Sequence, residues 1–353
     1  MNNIHSNRIA WIDIMKGILF CLVVSLHITQ RSYIYTPPIF SDIINFFSPL
    51  RMPAYFFLSG LLFSNRKLRT YPQYIKSKTK TLLLPYVTFS ILFLILDWNT
   101  YIIDNYYVSG FKKILGGMSS HRSEPLWFVF TLYSICICYY PFHRFMNRYK
   151  YFYLPFSVLF ITISYYITHY NIHMYFNLGT TFSAIPFFIW GVSYKEFIFY
   201  ITNLTRPKKI AFIFITFTVY SIILFTYNSG GQLYGNQINN YFTFYILAIL
   251  GILGFCCICS ELSKLKLKIL GILENVSRNA LVILATHMYI LMIEDSLIKY
   301  YFYEANKYII MVLSIATLVI AEIICIALAN KYFYIFMGKK KLSFKESLSI
   351  SRE

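Results

Sequence analysis

Ten apolar stretches, each near the roughly 20 residues a helix needs to cross a hydrocarbon core, follow one another along this chain. Their approximate cores are residues 9–29, 42–64, 81–100, 125–142, 151–169, 179–197, 210–228, 241–260, 276–293 and 308–329. In lipid every backbone N–H and C=O must find its partner inside the protein, so stretches of this length fold as helices. The composition agrees: 58% of the 353 residues are hydrophobic and 13% are charged, against about 45–50% and 25% in soluble domains. The expected fold is all-α, a polytopic membrane protein of about ten transmembrane helices. No hydrophilic block is large enough for a second domain. Residues 1–335 are read as a single transmembrane domain and 336–353 as a basic cytoplasmic tail.

The net charge is +18. In a soluble protein such an excess points to nucleic acid. In a membrane bundle it reports topology, because Lys and Arg collect in cytoplasmic loops, and no nucleic-acid partner is expected. With the N-terminus inside, the loops at 65–80, 143–150, 198–209 and 261–275, both tails and the flanking helix ends hold 24 of the 32 cations. Seven lie outside: Arg31, Arg51, Lys112, Lys113, Arg122, Lys299 and Lys307. Lys16 alone is left in the membrane. An even number of spans places both termini in the cytoplasm. The first stretch contains Asp13 and Lys16 and is followed by no small-residue cleavage site, so it is expected to stay as a helix rather than leave as a signal peptide. The seven cysteines fall within the apolar stretches and are not a disulfide framework. Cys256 and Cys259 form a C-x-x-C in mid-stretch without partner ligands; they are read as packing residues, and no metal is expected.

The first stretch contains "KGILFCLVVSLH", residues 16–27. Eleven helical steps of about 100° end some 20° past three full turns, so Lys16 and His27 share a face, roughly 16 Å apart along the axis. Asp13, three residues before Lys16, lies on that face and within pairing reach. Ionisable groups inside a span are costly and usually face the bundle interior or a wet cavity. The plainer reading is a structural Asp–Lys pair with an interfacial histidine. Other polar residues recur at comparable depths. "PLRMPAYFFLSG" carries Arg51, Ser59 and a mid-helix Pro53; "HRSEPLWFVF" carries His121, Arg122 and Trp127; "NVSRNALVILATHMY" carries Arg278 and His287. Singly each is an interface anchor. Together, histidines near the outer side and cations near the inner side describe a lined tunnel. The loop "NRKLRTYPQYIKSKTK" is either a topological anchor touching anionic lipid or a landing site for a phosphorylated donor. The outer segments 101–124 and "NSGGQLYGNQINN" suit contact with a polar acceptor, though spacers look the same.

These residues resemble the membrane acyltransferase-3 family, ten-helix enzymes that modify surface glycans, and its fucose-4-O-acetylase-like branch fits best. The carriers are Lys16, ten residues, then His27, preceded by "RIAWIDIMKG"; "MPAYFFLSG" at 52–60; "LLLPY" at 82–86; "LWF" at 126–128; "IPFFIWG" at 185–191; and "SRNALVILATH" ending at His287. Lys16 stands where arginine is common, giving a point charge instead of a planar fork.

The resemblance implies a multi-pass protein of a bacterial inner or plasma membrane. It implies an acetyl-CoA donor on the cytoplasmic side and, as acceptor, a hydroxyl of a surface polysaccharide or its lipid-linked precursor. His27 would be the general base, with His287 as a second proton-transfer or acceptor-binding group. Asp13, Lys16 and Arg278 are assigned to the donor, and Arg51, Ser59, His121, Arg122 and Trp127 to the acceptor chamber. The expected partners are membrane lipids, the glycan and separate glycan-assembly proteins, since the chain carries no fused extracytoplasmic domain. Two other readings stay open. One is a transporter or flippase, which also has a polar seam, although no internal repeat is visible. The other is an acyltransferase with another donor, such as succinyl-CoA, or another acceptor.

Overall fold

The structure is a computed structural model that describes residues 8–31, 36–63, 70–96, 125–172, 174–227, 231–301 and 306–337. It is a bundle of helices, and each of the ten apolar stretches is helical where described. Among the described residues, seven helices are long and apolar enough to cross a membrane, and eight if one bent pair counts as a single span.

The first helix, α1, runs over Ala10–Thr29. The second stretch is not one rod: α2 (Pro38–Phe46) and α3 (Ser48–Phe63) meet at a 42° bend. The sequence pointed to Pro53 as the disturbance, but α3 is continuous through it. The break falls at Phe47, where Leu50 and Arg51 both donate their backbone N–H to the Phe47 carbonyl. That leaves the Phe46 carbonyl without a helical donor, and the hydroxyl of Tyr220 fills the vacancy. A broken ladder survives at membrane depth only with such a substitute.

The third stretch is longer than its apolar core. Helix α4 (Tyr71–Lys78) continues through a π turn at Thr79–Leu83 into α5 (Leu84–Leu96), so half of the basic loop is helical. Helices α6 (Trp127–Arg148) and α7 (Tyr153–His169) follow. The sixth stretch also divides, into α8 (Leu178–Ser193) and the short α9 (Lys195–Thr202). Helix α8 has 16 residues, about 24 Å at 1.5 Å each. It falls short of a full hydrocarbon core and lies buried among its neighbours along most of its length. Next come α10 (Arg206–Tyr227), α11 (Tyr241–Leu262), the 34-residue α12 (Lys268–Tyr301) and α13 (Lys307–Tyr332). Between α10 and α11 lies a small hairpin, β1 (Gly231–Gln232) against β2 (Gln237–Ile238), antiparallel. Its turn places Gly235 and Asn236 at positive φ, which those two residue types tolerate.

Close backbone approach holds the centre together. A Cβ at Gly60 of α3 would lie 2.0 Å from the Phe188 carbonyl oxygen of α8, and one at Gly191 of α8 would lie 2.0 Å from the Phe57 carbonyl oxygen of α3. Gly17 of α1 stands in the same relation to Leu273 of α12, at 2.3 Å. Without a hydrophobic drive between helices in lipid, such notches let backbones meet and gain dispersion contact. Outward faces stay apolar, as with Phe214 and Phe225 of α10. Cys256 of the C-x-x-C is buried, with its sulfur 3.8 Å from that of Met15.

Polar side chains fix the register at the edge of the bundle. Along α12 and α13, Asn279 accepts from Asn330, Thr286 donates to Glu322, and Ser314 and Thr317 donate to Glu294. The pairing runs backwards along α13 as it advances along α12, so the two are antiparallel. At one end Arg31, just past α1, binds Glu294 at 3.0 Å, Asp295 at 2.7 Å and Ser314 at 2.7 Å. Lys209 is fully buried and donates to the Thr202 carbonyl, Ser260 and Glu261, tying α10 to α9 and α11.

Candidate active site

Three contacts align α1 with α12. Asp13 accepts from Ser277, Gly17 abuts Leu273, and His27 meets His287. Gly17–Leu273, His27–His287 and the bond from Arg31 to Glu294 advance together along both helices, so the two run in the same direction, and the face of α1 that carries Asp13 and His27 looks toward α12. The imidazoles of His27 and His287 lie 5.3 Å apart between centroids, tilted by 45°. His287 is fully buried, with its Nδ1 2.7 Å from the Ile283 carbonyl oxygen. That geometry makes Nδ1 the donor and leaves Nε2 as the acceptor. Nε2 is buried with no partner among the described residues. Phe20 packs edge-on against the same ring.

His27 opens onto a cavity of about 70 Å³, walled by Val23 and Leu26 of α1, Ser48, Arg51 and Met52 of α3, Trp127, Leu284 and the hairpin residues Gln232, Leu233 and Tyr234. This exceeds the 10–15 Å³ that one water requires and is far below the 300–1,000 Å³ of a whole small-molecule site. It has room for the tip of a ligand and not for a whole one. Arg51 is 4% exposed. Its hydrogen bonds, 3.5 Å to the Leu22 carbonyl and 3.4 Å to Ser48, are long. Among the described residues no carboxylate pairs with it. A guanidinium has five donors, so Arg51 keeps most of its capacity for an anion in the cavity. Trp127 forms the floor between Phe56 and Tyr234, with centroids 6.3 and 5.6 Å away.

The other expected residues scatter. Lys16 lies three turns from His27 on α1, and its carbonyl accepts from Tyr55 at 2.6 Å. Asp13 forms a salt bridge with Arg8, at 3.7 Å. Arg278 is exposed and pairs with Glu274 one turn earlier, at 3.6 Å. Ser59 is two turns along α3 from Arg51 and donates back to the Tyr55 carbonyl at 2.8 Å, so it is not part of this cavity wall. His121 and Arg122 lie outside the described residues.

Sequence reasoning marked the segment that holds the hairpin as suited to a polar acceptor but could not place it at this cavity, and it missed Ser48; both reach the cavity only through tertiary folding. It also missed Glu322. This carboxylate of α13 is buried, accepts from Thr286 through both oxygens at 2.9 Å, and pairs with no cation among the described residues. Thr286 immediately precedes His287. An acidic residue inside a lipid-facing hairpin was a visible signal, because such groups are retained in spans at a cost.

A family model for an acyltransferase domain, that of the acyltransferase-3 family, matches residues 9–329. No curated protein and no solved structure matches the chain.

Proposed function

Because the chain belongs to the acyltransferase-3 family, we propose that this multi-pass membrane acyltransferase moves an acetyl group from cytoplasmic acetyl-CoA to a hydroxyl of a bacterial surface polysaccharide or its lipid-linked precursor. The observation that carries the reading is a small cavity where His27, backed by His287, meets a buried Arg51 that no carboxylate among the described residues holds.

The reaction balances with these groups. His27 removes the proton as the acceptor oxygen attacks the thioester carbonyl, forming the C–O bond. Negative charge then gathers on the carbonyl oxygen, and the N–H groups of Arg51 are the donors available to it. Collapse breaks the C–S bond, and the imidazolium returns its proton to the departing CoA sulfur. His287, fixed through the Ile283 carbonyl, supports the ring of His27 from behind. Lys16 lies about 16 Å down the same helix, where it suits the polar body of an extended donor entering from the opposite side. Asp13 and Ser277 flank that entry.

The test is purified protein incubated with acetyl-CoA and extracted cell-envelope glycan, following CoA release and glycan mass. Wild type is expected to add one acetyl mass. His27→Ala is expected to lose transfer by at least about 10²-fold, the usual weight of a general base, while inserting normally. Substantial retained turnover would sink the assignment. Absence of both transfer and thermal stabilisation by acetyl-CoA would favour transport instead.

A further inference from the structure

The cavity at His27 is too small to hold a sugar chain, so the acceptor's remaining bulk needs a second seat. A groove of about 500 Å³ lies on the other portion of the same hairpin segment, lined by Tyr165, Thr168 and His169 of α7 and by Ile238 through Phe242. We propose that this groove is a carbohydrate-binding subsite for a sugar unit of the acceptor beyond the one being acylated. The inference rests on the glycan-acceptor reading above.

The local geometry is suited to a sugar. Tyr165, Thr168 and His169 fall at i, i+3 and i+4 and share one helix face. The rings of Tyr165 and His169 are stacked nearly parallel, 14° apart with centroids 5.6 Å apart, which makes a small aromatic platform of two offset layers. Tyr241 meets Tyr165 at 88°, 5.6 Å away, and turns the platform into a corner. That corner is braced: the Tyr241 hydroxyl is 2.8 Å from Thr168 and also bonds Ser164. The C–H face of a pyranose carries partial positive charge, and the face of an aromatic ring is negative. Around the platform stand amides. Asn240 uses its side-chain oxygen to cap α11, accepting from Thr243 N–H at 3.1 Å, which leaves its NH₂ outward. Asn239 is exposed beside it. Carboxamides and an imidazole supply both donors and acceptors, as hydroxyl groups demand. A lipid-facing aromatic belt needs no such amides.

The hairpin joins this groove to the reaction cavity. Gln232 and Tyr234 wall the cavity, while Ile238 and Asn239 wall the groove. Gly231 pairs with Ile238 and Gln232 with Gln237 across the ladder, so the cavity residue Gln232 and the groove residue Ile238 occupy adjacent rungs of two strands roughly 5 Å apart. The segment is pinned from below, since Asn236 accepts from Ser183 at 2.6 Å. One glycan could lie over the hairpin with one unit at His27 and a neighbour on Tyr165.

The experiment uses the full chain in lipid nanodiscs and, as probe, oligosaccharides released from extracted cell-envelope glycan, with binding read by saturation-transfer NMR. Tyr165 is half exposed, so its truncation leaves the bundle intact. Tyr165→Ala is expected to weaken binding by about tenfold, the scale of one lost aromatic stacking contact. Tyr165→Phe keeps the ring and is expected to bind within about twofold of wild type. In the transfer assay Tyr165→Ala raises KM for the oligosaccharide and leaves kcat unchanged. Unaltered binding by Tyr165→Ala, an equal loss in Tyr165→Phe, or an equal signal from nanodiscs without protein would each overturn the subsite. Binding requires no turnover: a wild-type protein that binds these sugars through Tyr165 and acylates none of them refutes the acceptor assignment and leaves the subsite standing.

Discussion

At the scale of single residues, the cavity joins His27 to Arg51, a cation that no carboxylate among the described residues holds. Arg51 makes only long hydrogen bonds, and Ser48 and the Leu22 carbonyl hold it loosely in place. Arg51→Ala is expected to lower kcat by about 10²–10³, the cost of removing one donor from an oxyanion. Arg51→Lys is expected to recover part of that loss, because charge returns without the planar fork. Equal kcat in all three proteins would remove Arg51 from the chemistry. His27, His287, Arg51 and Trp127 were legible in the sequence as polar or amphipathic residues at matching depths, and the fold brings all four together. The other partners of Asp13 were not: helical spacing offers Lys16 but does not show that Arg8 and Ser277 also reach Asp13. Ser59 misled for a related reason: a serine in a span satisfies itself by bonding the carbonyl four residues back.

At the scale of elements, apolar length located the long helices among the described residues, because membranes permit so few alternatives, but not the short helix α4 in the basic loop. It could not locate the bend at Phe47, which depends on a hydroxyl from α10, or the division of α8 from α9. Nor could it show why "LSG" and "IWG" belong together. Gly60 and Gly191 form reciprocal notches, each set against the other helix's backbone. Gly60→Ala pushes a methyl into the Phe188 carbonyl, and no side chain can yield to relieve it. The expected loss is at least about 1–3 kcal/mol, read as a lowered midpoint of thermal unfolding in detergent. An unchanged midpoint would mean that α3 and α8 can separate freely. Because Arg51 and Trp127 stand on or beside these helices, the same variant should lose activity in proportion.

At the scale of the whole molecule, the parallel course of α1 and α12 sets which chemistry faces which side. The proposed orientation puts Lys266 in the cytoplasm and Asn239 outside, following the distribution of cations. Lys266→Cys should therefore react with a membrane-impermeant maleimide only in inverted vesicles, and Asn239→Cys only in right-side-out cells, with wild type as the blank. Labelling of both from one side would overturn the topology and with it the direction of acyl transfer. Both positions are exposed, so the reagent can reach them.

The bonds from Arg31 to Glu294 and Ser314 span 263 and 283 residues of chain, and the histidine pair spans nearly as many. Ribosomes add about 5–20 residues per second. Helix α1 thus waits for tens of seconds in the bilayer, Arg31 and His27 unmatched, while the chain between it and α12 is made. The pairing of His27 with His287 forms only when α12 arrives, and α13 then closes on it through Ser314 against Glu294 and Glu322 against Thr286. A nascent chain halted anywhere earlier lacks that pairing, so on the proposed function the cell's supply of activity is timed by completion of synthesis rather than by its start.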